Sequence, residues 1–146
     1  MLPDEAAKGA KELGGKTLGV SPAISILDHV EKYKSPIDHY DQFLFTGMGL
    51  LMRDIINVRS CDAVIILPGG TGTLNEFTVA YDEGKPIGVL EGFGGIADHI
   101  RQILKFSHRD IAKNMVFSSN PKTLVTKLLK IVHEEKSPDG IDSYLI

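Results

Sequence analysis

Short apolar runs alternate with helix-like segments along the whole chain, which predicts an α/β protein: a Rossmann-like open parallel sheet with helices on both faces. Two observations carry this reading. The runs Ala63–Leu67 (AVIIL) and Pro86–Leu90 (PIGVL) are continuous rather than alternating, as expected of strands buried on both faces. Each is followed by a glycine-rich turn and then by a segment with helical apolar spacing. With 146 residues the chain reads as one domain, residues 1–146, long enough to bury a substantial core.

Taken in order, residues 4–13 are Ala-rich and read as a helix, with Pro3 allowed in its first turn and Gly14-Gly15 ending it. Residues 16–20 (KTLGV) form a short strand, followed by a Ser21-Pro22 loop. Between 23 and 40 the pattern is ambiguous: Ile24, Ile26, Leu27 and Val30 suit a short helix, and Pro36 breaks anything longer. Residues 42–46 (QFLFT) read as a strand, with Gly47 and Gly49 flanking the turn into a helix over 50–60. After the 63–67 strand, a helix over 73–83 stops at Gly84, and the 86–90 strand leads to a second glycine turn, Glu91-Gly92-Phe93-Gly94-Gly95. A helix over 96–106 carries Ile96, Ile100, Ile103 and Leu104 on one face. A last strand, 115–117, precedes an amphipathic helix ending near His133, with Leu124, Val125, Leu128, Leu129 and Val132 as its stripe. Residues 134–146 are expected to form a loosely held tail.

Composition is that of an ordinary globular protein: 42% hydrophobic, 24% charged and 7% aromatic, with a formal net charge of −3. Scattered Lys and Arg with a net negative charge offer no field for nucleic acid or an anionic membrane. The single cysteine, Cys61, lies at the start of an apolar run and reads as a structural thiol. No Cys/His spacing suggests a metal site, no cofactor is expected, and no apolar run is long enough to span a bilayer. With no signal-peptide character at the N-terminus, the expected location is cytoplasmic.

The most informative stretch is Val64-Ile65-Ile66-Leu67-Pro68-Gly69-Gly70-Thr71-Gly72-Thr73-Leu74-Asn75-Glu76. It reads as strand, glycine loop, helix N-terminus, an order that brings bare N–H groups and the positive end of a helix dipole to one point. Gly69, Gly70 and Gly72 let the backbone approach a ligand closely, and Thr71 and Thr73 add hydroxyls. A phosphate or nucleotide site is the leading reading, against a plain strand-to-helix turn. The loop is neither a P-loop, lacking Gly-Lys-Ser/Thr, nor the dinucleotide Gly-x-Gly-x-x-Gly.

Pro68-Gly69-Gly70-Thr71-Gly72-Thr73-Leu74-Asn75-Glu76 resembles the Pro-Gly-Gly-x-Gly-Thr-x-x-Glu signature of the LOG family, once labelled lysine decarboxylases. The family's second signature, Met-x-x-Arg-Lys on an upstream helix, has its counterpart near Gly49-Leu50-Leu51-Met52-Arg53-Asp54, with Arg53 at the family spacing. The resemblance runs from about Asp4 to Leu129. It departs from the family twice. Asp54 replaces the lysine, reversing a charge. The family's opening strand has no counterpart, residues 1–10 reading as the end of the glycine-rich loop that follows it and the next helix, so an N-terminally truncated fold is expected.

What the resemblance implies is a nucleoside 5′-monophosphate phosphoribohydrolase, which cleaves the N-glycosidic bond to give a free base and ribose 5-phosphate. Characterised family members act on cytokinin riboside 5′-monophosphates. The transition state resembles an oxocarbenium ion, which a carboxylate stabilises while it orients or deprotonates water. Glu76 is the candidate carboxylate and Arg53 the candidate cation for a phosphate or a ribose hydroxyl. Each has a bland alternative. With Thr73 as N-cap, Glu76 sits at the N3 position of a capping box; Arg53 in the first turn of its helix can pair on the surface with Asp54 or Asn57. A second reading from another class is a non-catalytic binding protein. Gly84-Lys85-Pro86 and Gly94-Gly95-Ile96-Ala97-Asp98 look closer to molybdenum-cofactor carriers within this group. No lysine stands in a recognisable pyridoxal phosphate setting. The resemblance also implies a homodimer. Asp98 and the histidines have no spacing that compels a role, His29 and His39 reading as loop or lid residues.

Overall fold

The computed structural model describes residues 2–135, so the expected tail beyond Glu135 lies outside the described residues. The chain divides into two compact units, residues 1–57 and 58–146. Every strand pairing in them is parallel. Among the described residues no helix is long and apolar enough to cross a membrane.

The first unit runs α1 (Leu2–Glu12), β1 (Leu18–Ser21), α2 (Ile26–Glu31), β2 (Gln42–Phe45) and most of α3 (Gly49–Arg59). β1 and β2 pair in the register Leu18↔Gln42 to Ser21↔Phe45, with α2 in the crossover between them. The ambiguous 23–40 stretch thus contains one short helix, started by Ser25, whose Oγ accepts from the Asp28 N–H at 3.2 Å. Its apolar residues do not form a buried face: Ile24 is 76% exposed and Leu27 62%. The buried residue is His29, which takes Ser21 Oγ–H on Nδ1 at 2.8 Å and donates from Nε2 to Pro36 O at 3.2 Å. His39 is likewise not a free loop histidine; its Nδ1 lies 3.0 Å from the buried Asp4 carboxylate.

An aromatic cluster packs against β1, with Phe43 touching His29, Tyr40 and Phe45 at centroid distances of 4.9, 5.0 and 5.6 Å. Gly19 makes room for it. A Cβ there would stand 2.3 Å from the Phe43 ring, which its neighbours hold in place. Gly19→Ala is therefore expected to destabilise the protein by about 1–3 kcal/mol through overpacking, read as a lower urea midpoint.

On the exposed side, Asp41 accepts from Lys11 Nζ and from the N–H and hydroxyl of Thr17. These bonds, that of Lys11 first, hold its carboxyl down at about 2 from an ordinary 3.8. A pKa lowered in the folded state stabilises above the unfolded value and stops doing so as pH falls through the folded one. The stability difference between wild type and Asp41→Asn should therefore be constant above about pH 5 and shrink between about 3.8 and 2 in acid titrations followed by circular dichroism.

The second unit holds β3 (Val64–Ile66), α4 (Thr71–Asp82), β4 (Ile87–Leu90), a 3₁₀ turn (Ile96–His99), α5 (Ile100–Phe106), β5 (Met115–Ser118) and α6 (Pro121–Glu135). Its sheet has the order β3-β4-β5. Side chains alternate across a strand. Ile87 and Val89 face one side, where Ile66, Phe77, Ala80, Ile100 and Leu104 close the core under α4 and α5. Gly88 faces the other, where a Cβ would meet Leu128 and Leu124 of α6 at 3.2 and 3.3 Å. Helices thus cover both faces, as the sequence predicts.

Burial on both faces holds for β4 but not for β3, where Ile65 is 41% exposed. The reason is that α6 packs on β4 and β5, leaving the Ile65 side of β3 uncovered by it. The stripe on α6 is likewise narrower than the apolar spacing suggests: Leu124 and Leu128 are buried, while Val125 and Leu129 are 41% and 50% exposed.

A glycine loop at an uncapped helix N-terminus

β3 ends at Ile66, and the loop Leu67–Gly70 turns the chain into α4. The helix begins at Thr71, two residues earlier than the threonine-capped start expected from sequence. Gly70 is the N-cap, with φ −107° and ψ −141°, and no side chain caps the helix. Its carbonyl accepts the first helical bond, from Leu74 N–H at 3.1 Å. The N–H groups of Thr71, Gly72 and Thr73 precede that bond and point out of the helix end, where the dipole is positive.

Thr73 is therefore the third helical residue rather than the cap. Its hydroxyl folds back on the loop, so that a Cβ on Gly69 would lie 2.1 Å from Thr73 Oγ1. Gly70 and Thr71 are exposed, and Gly69, Gly72 and Thr73 half-buried. Glu76 becomes the sixth residue of α4, half-buried, one turn beyond Thr73 on the same helix face. This corrects the capping-box alternative: at the sixth position a carboxylate is too far along to cap the first turn.

The second glycine turn has a larger part than its sequence suggests. Gly92, Gly94 and Gly95 all have left-handed φ, at +93°, +89° and +67°. Gly92 N–H and Gly94 N–H donate to the two carboxylate oxygens of Asp98 at 2.5 and 2.8 Å, which lowers the pKa of that exposed carboxyl. Ile96 N–H donates to Gly69 O at 2.8 Å, and a Cβ on Gly95 would stand 2.6 and 2.7 Å from Gly69 O and N. The two glycine turns are thus interlocked at Gly69 and Gly95. Asp98, which spacing alone leaves without a role, is the clamp on the second turn. The signal for it was an acid four residues after Gly94, the reach of a local carboxylate-to-backbone bond.

Arg53 belongs to the first unit, on the second turn of α3 rather than the first. Gly47 and Gly49, both at positive φ, set the turn into that helix. The arginine is not a solvated surface residue: its side chain is only 24% exposed, and Nε lies 3.3 Å from Asp54 Oδ1. That contact is off the line of the N–H, leaving Nε without a hydrogen bond. Asp54 itself is buried, so the charge-reversed position orients the arginine from inside. Arg53 lines a cavity of about 680 Å³ with Tyr40, Phe43, His29, Lys32 and Thr17. Burial chiefly, and then Asp4, push the Tyr40 hydroxyl pKa up, with Arg53 opposing them. Cys61 is half-buried, donates to Val58 O at 3.0 Å, and has its thiol pKa raised by burial, as befits a structural thiol rather than a nucleophile.

A model of the SLOG cluster4 family matches residues 2–125. A Mycobacterium tuberculosis protein described as a cytokinin riboside 5′-monophosphate phosphoribohydrolase is 35% identical over 95 residues, covering 60% of this chain and 47% of that protein. An uncharacterized protein of Archaeoglobus fulgidus is 35% identical over 88 residues, covering 60% of this chain and 52% of its own length. The chain spans about half the length of these curated relatives. The solved structure of the molybdenum cofactor binding protein from the phototrophic bacterium Rippkaea orientalis superimposes with a TM-score of 0.68 at 27% identity, over 88% of this chain and 70% of that one. A structural-genomics crystal structure, 23% identical, has the same TM-score of 0.68 over 85% of this chain and 69% of its own, and supports the fold alone.

Proposed function

The chain belongs to the SLOG cluster4 family, a LOG-like family, and from that premise we propose that it binds a nucleoside 5′-monophosphate at the Pro68–Thr73 loop and hydrolyses its N-glycosidic bond. The observation that carries the proposal is the uncapped N-terminus of α4, opened by Gly69 and Gly70 and followed one turn later by Glu76. N–H groups of the first turn, with the Thr71 and Thr73 hydroxyls, hold the phosphate. Glu76 faces the growing positive charge on the sugar and orients or deprotonates the attacking water. Arg53 enters the proposal from the family signature, as the cation that fixes a phosphate or ribose hydroxyl. The similarity to the phosphoribohydrolase of M. tuberculosis supports this reading.

The test is to compare AMP with adenosine as substrates. Phosphate binding energy is spent on the reacting centre, so AMP should be hydrolysed and adenosine left nearly untouched. Equal rates on the two would contradict a phosphate-anchored mechanism.

A second reading is favoured by one finding, the 27% identical molybdenum cofactor binding protein. On it the same loop holds a phosphorylated ligand without turnover, since a shared fold and loop do not fix chemistry. Saturable binding of AMP without release of adenine would favour this reading. A homodimer of the family kind also belongs to the proposal, with sedimentation as its check.

A further inference from the structure

Phe93 stands at the tip of the second glycine turn, 60% exposed, between Gly92 and Gly94. A lone exposed phenylalanine signifies little by itself. This one is carried on a turn held at both ends. The two oxygens of Asp98 take the N–H groups on either side of it, and Ile96 N–H and the Gly95 backbone lock the turn onto Gly69. Gly69 is the residue that opens the phosphate loop. Among the described residues no other ring packs on Phe93, and the residue is largely exposed. Three left-handed glycines and a two-oxygen clamp are a costly way to present a residue with no task, since such backbone is available to glycine and to few other residues.

We propose that Phe93 is the platform on which the heterocycle of the bound nucleotide stacks, with Asp98 as the positioning residue that fixes its turn against the phosphate loop. The inference rests on the nucleotide reading above and adds to it how the base is recognised. Stacking is tolerant of base identity because every base has a π-face. The site should then accept more than one base and depend on the ring rather than on base-edge hydrogen bonds.

Calorimetric titration with AMP and with ribose 5-phosphate, in a Glu76→Gln background so that AMP is not consumed, tests this. Phe93→Ala should weaken AMP binding by about 5- to 150-fold, the range for removing one base–aromatic stack, and leave ribose 5-phosphate binding unchanged. Phe93→Trp should restore AMP binding, and Asp98→Ala should weaken it without touching the ring. AMP binding unchanged in Phe93→Ala, or lost equally with ribose 5-phosphate, overturns the assignment of Phe93 while leaving the phosphate site standing. If the chain with Phe93 intact binds neither ligand, the nucleotide reading falls and this inference with it.

Discussion

Glu76→Gln is expected to slow release of adenine from AMP by about 10²- to 10⁴-fold, the usual worth of a positioned general base. The substitution keeps the size and shape of the side chain and removes only its charge and basicity. The structure sharpens what the result would mean. A glutamate in a capping box contributes to helix stability, so its loss would confuse chemistry with folding. Glu76 is the sixth residue of α4, behind a helix start made by Gly70, and the first turn does not rely on it. The variant should therefore keep its circular dichroism spectrum and its affinity for ribose 5-phosphate while losing turnover. Turnover within a few-fold of wild type would remove Glu76 from the mechanism.

Gly95→Ala should be the most damaging single methyl in the second unit, at about 2–6 kcal/mol. Two terms add. Gly95 has φ +67°, where a side chain costs of order 1–3 kcal/mol. The new Cβ would also stand within 2.7 Å of Gly69 O and N, which are backbone atoms that cannot swing aside, adding about 1–3 kcal/mol of overpacking. Gly94→Ala is the control: its φ of +89° is equally unfavourable, yet its Cβ meets nothing within 4 Å. Denaturant unfolding of the two variants should separate them, with Gly95→Ala the less stable. Binding of ribose 5-phosphate should fall in Gly95→Ala, because relieving the clash means moving Gly69. Equal midpoints for the two would show that the glycine turns are not interlocked as described.

The features legible in the sequence are those set by local chemistry. The Val64–Ile66 and Ile87–Leu90 strands declare themselves by continuous apolar residues, and the loop between β3 and α4 by its glycines. What stayed hidden depends on partners distant in the chain or on close competition between local choices. Thr73 is a better cap by residue type than Gly70, yet the backbone enters the helix at Thr71 and frees the Thr73 hydroxyl to fold onto Gly69. The contact of Gly95 with Gly69 joins residues 26 apart, and nothing in either turn announces the other. His29 reads as a loop histidine because its partner, Ser21, lies at the end of a strand before a proline. Asp54 reads as a departure that weakens the site, whereas burial beside Arg53 makes it the group that orients the arginine.

In the proposed reaction the loop and Glu76 together cleave a nucleoside 5′-monophosphate. The decisive experiment is a proton NMR time course of AMP with the purified chain. Adenine and ribose 5-phosphate should appear in equal amounts, and their appearance should stop in Glu76→Gln. AMP resonances that broaden on binding while no adenine accumulates would contradict hydrolysis and leave a binding protein in its place.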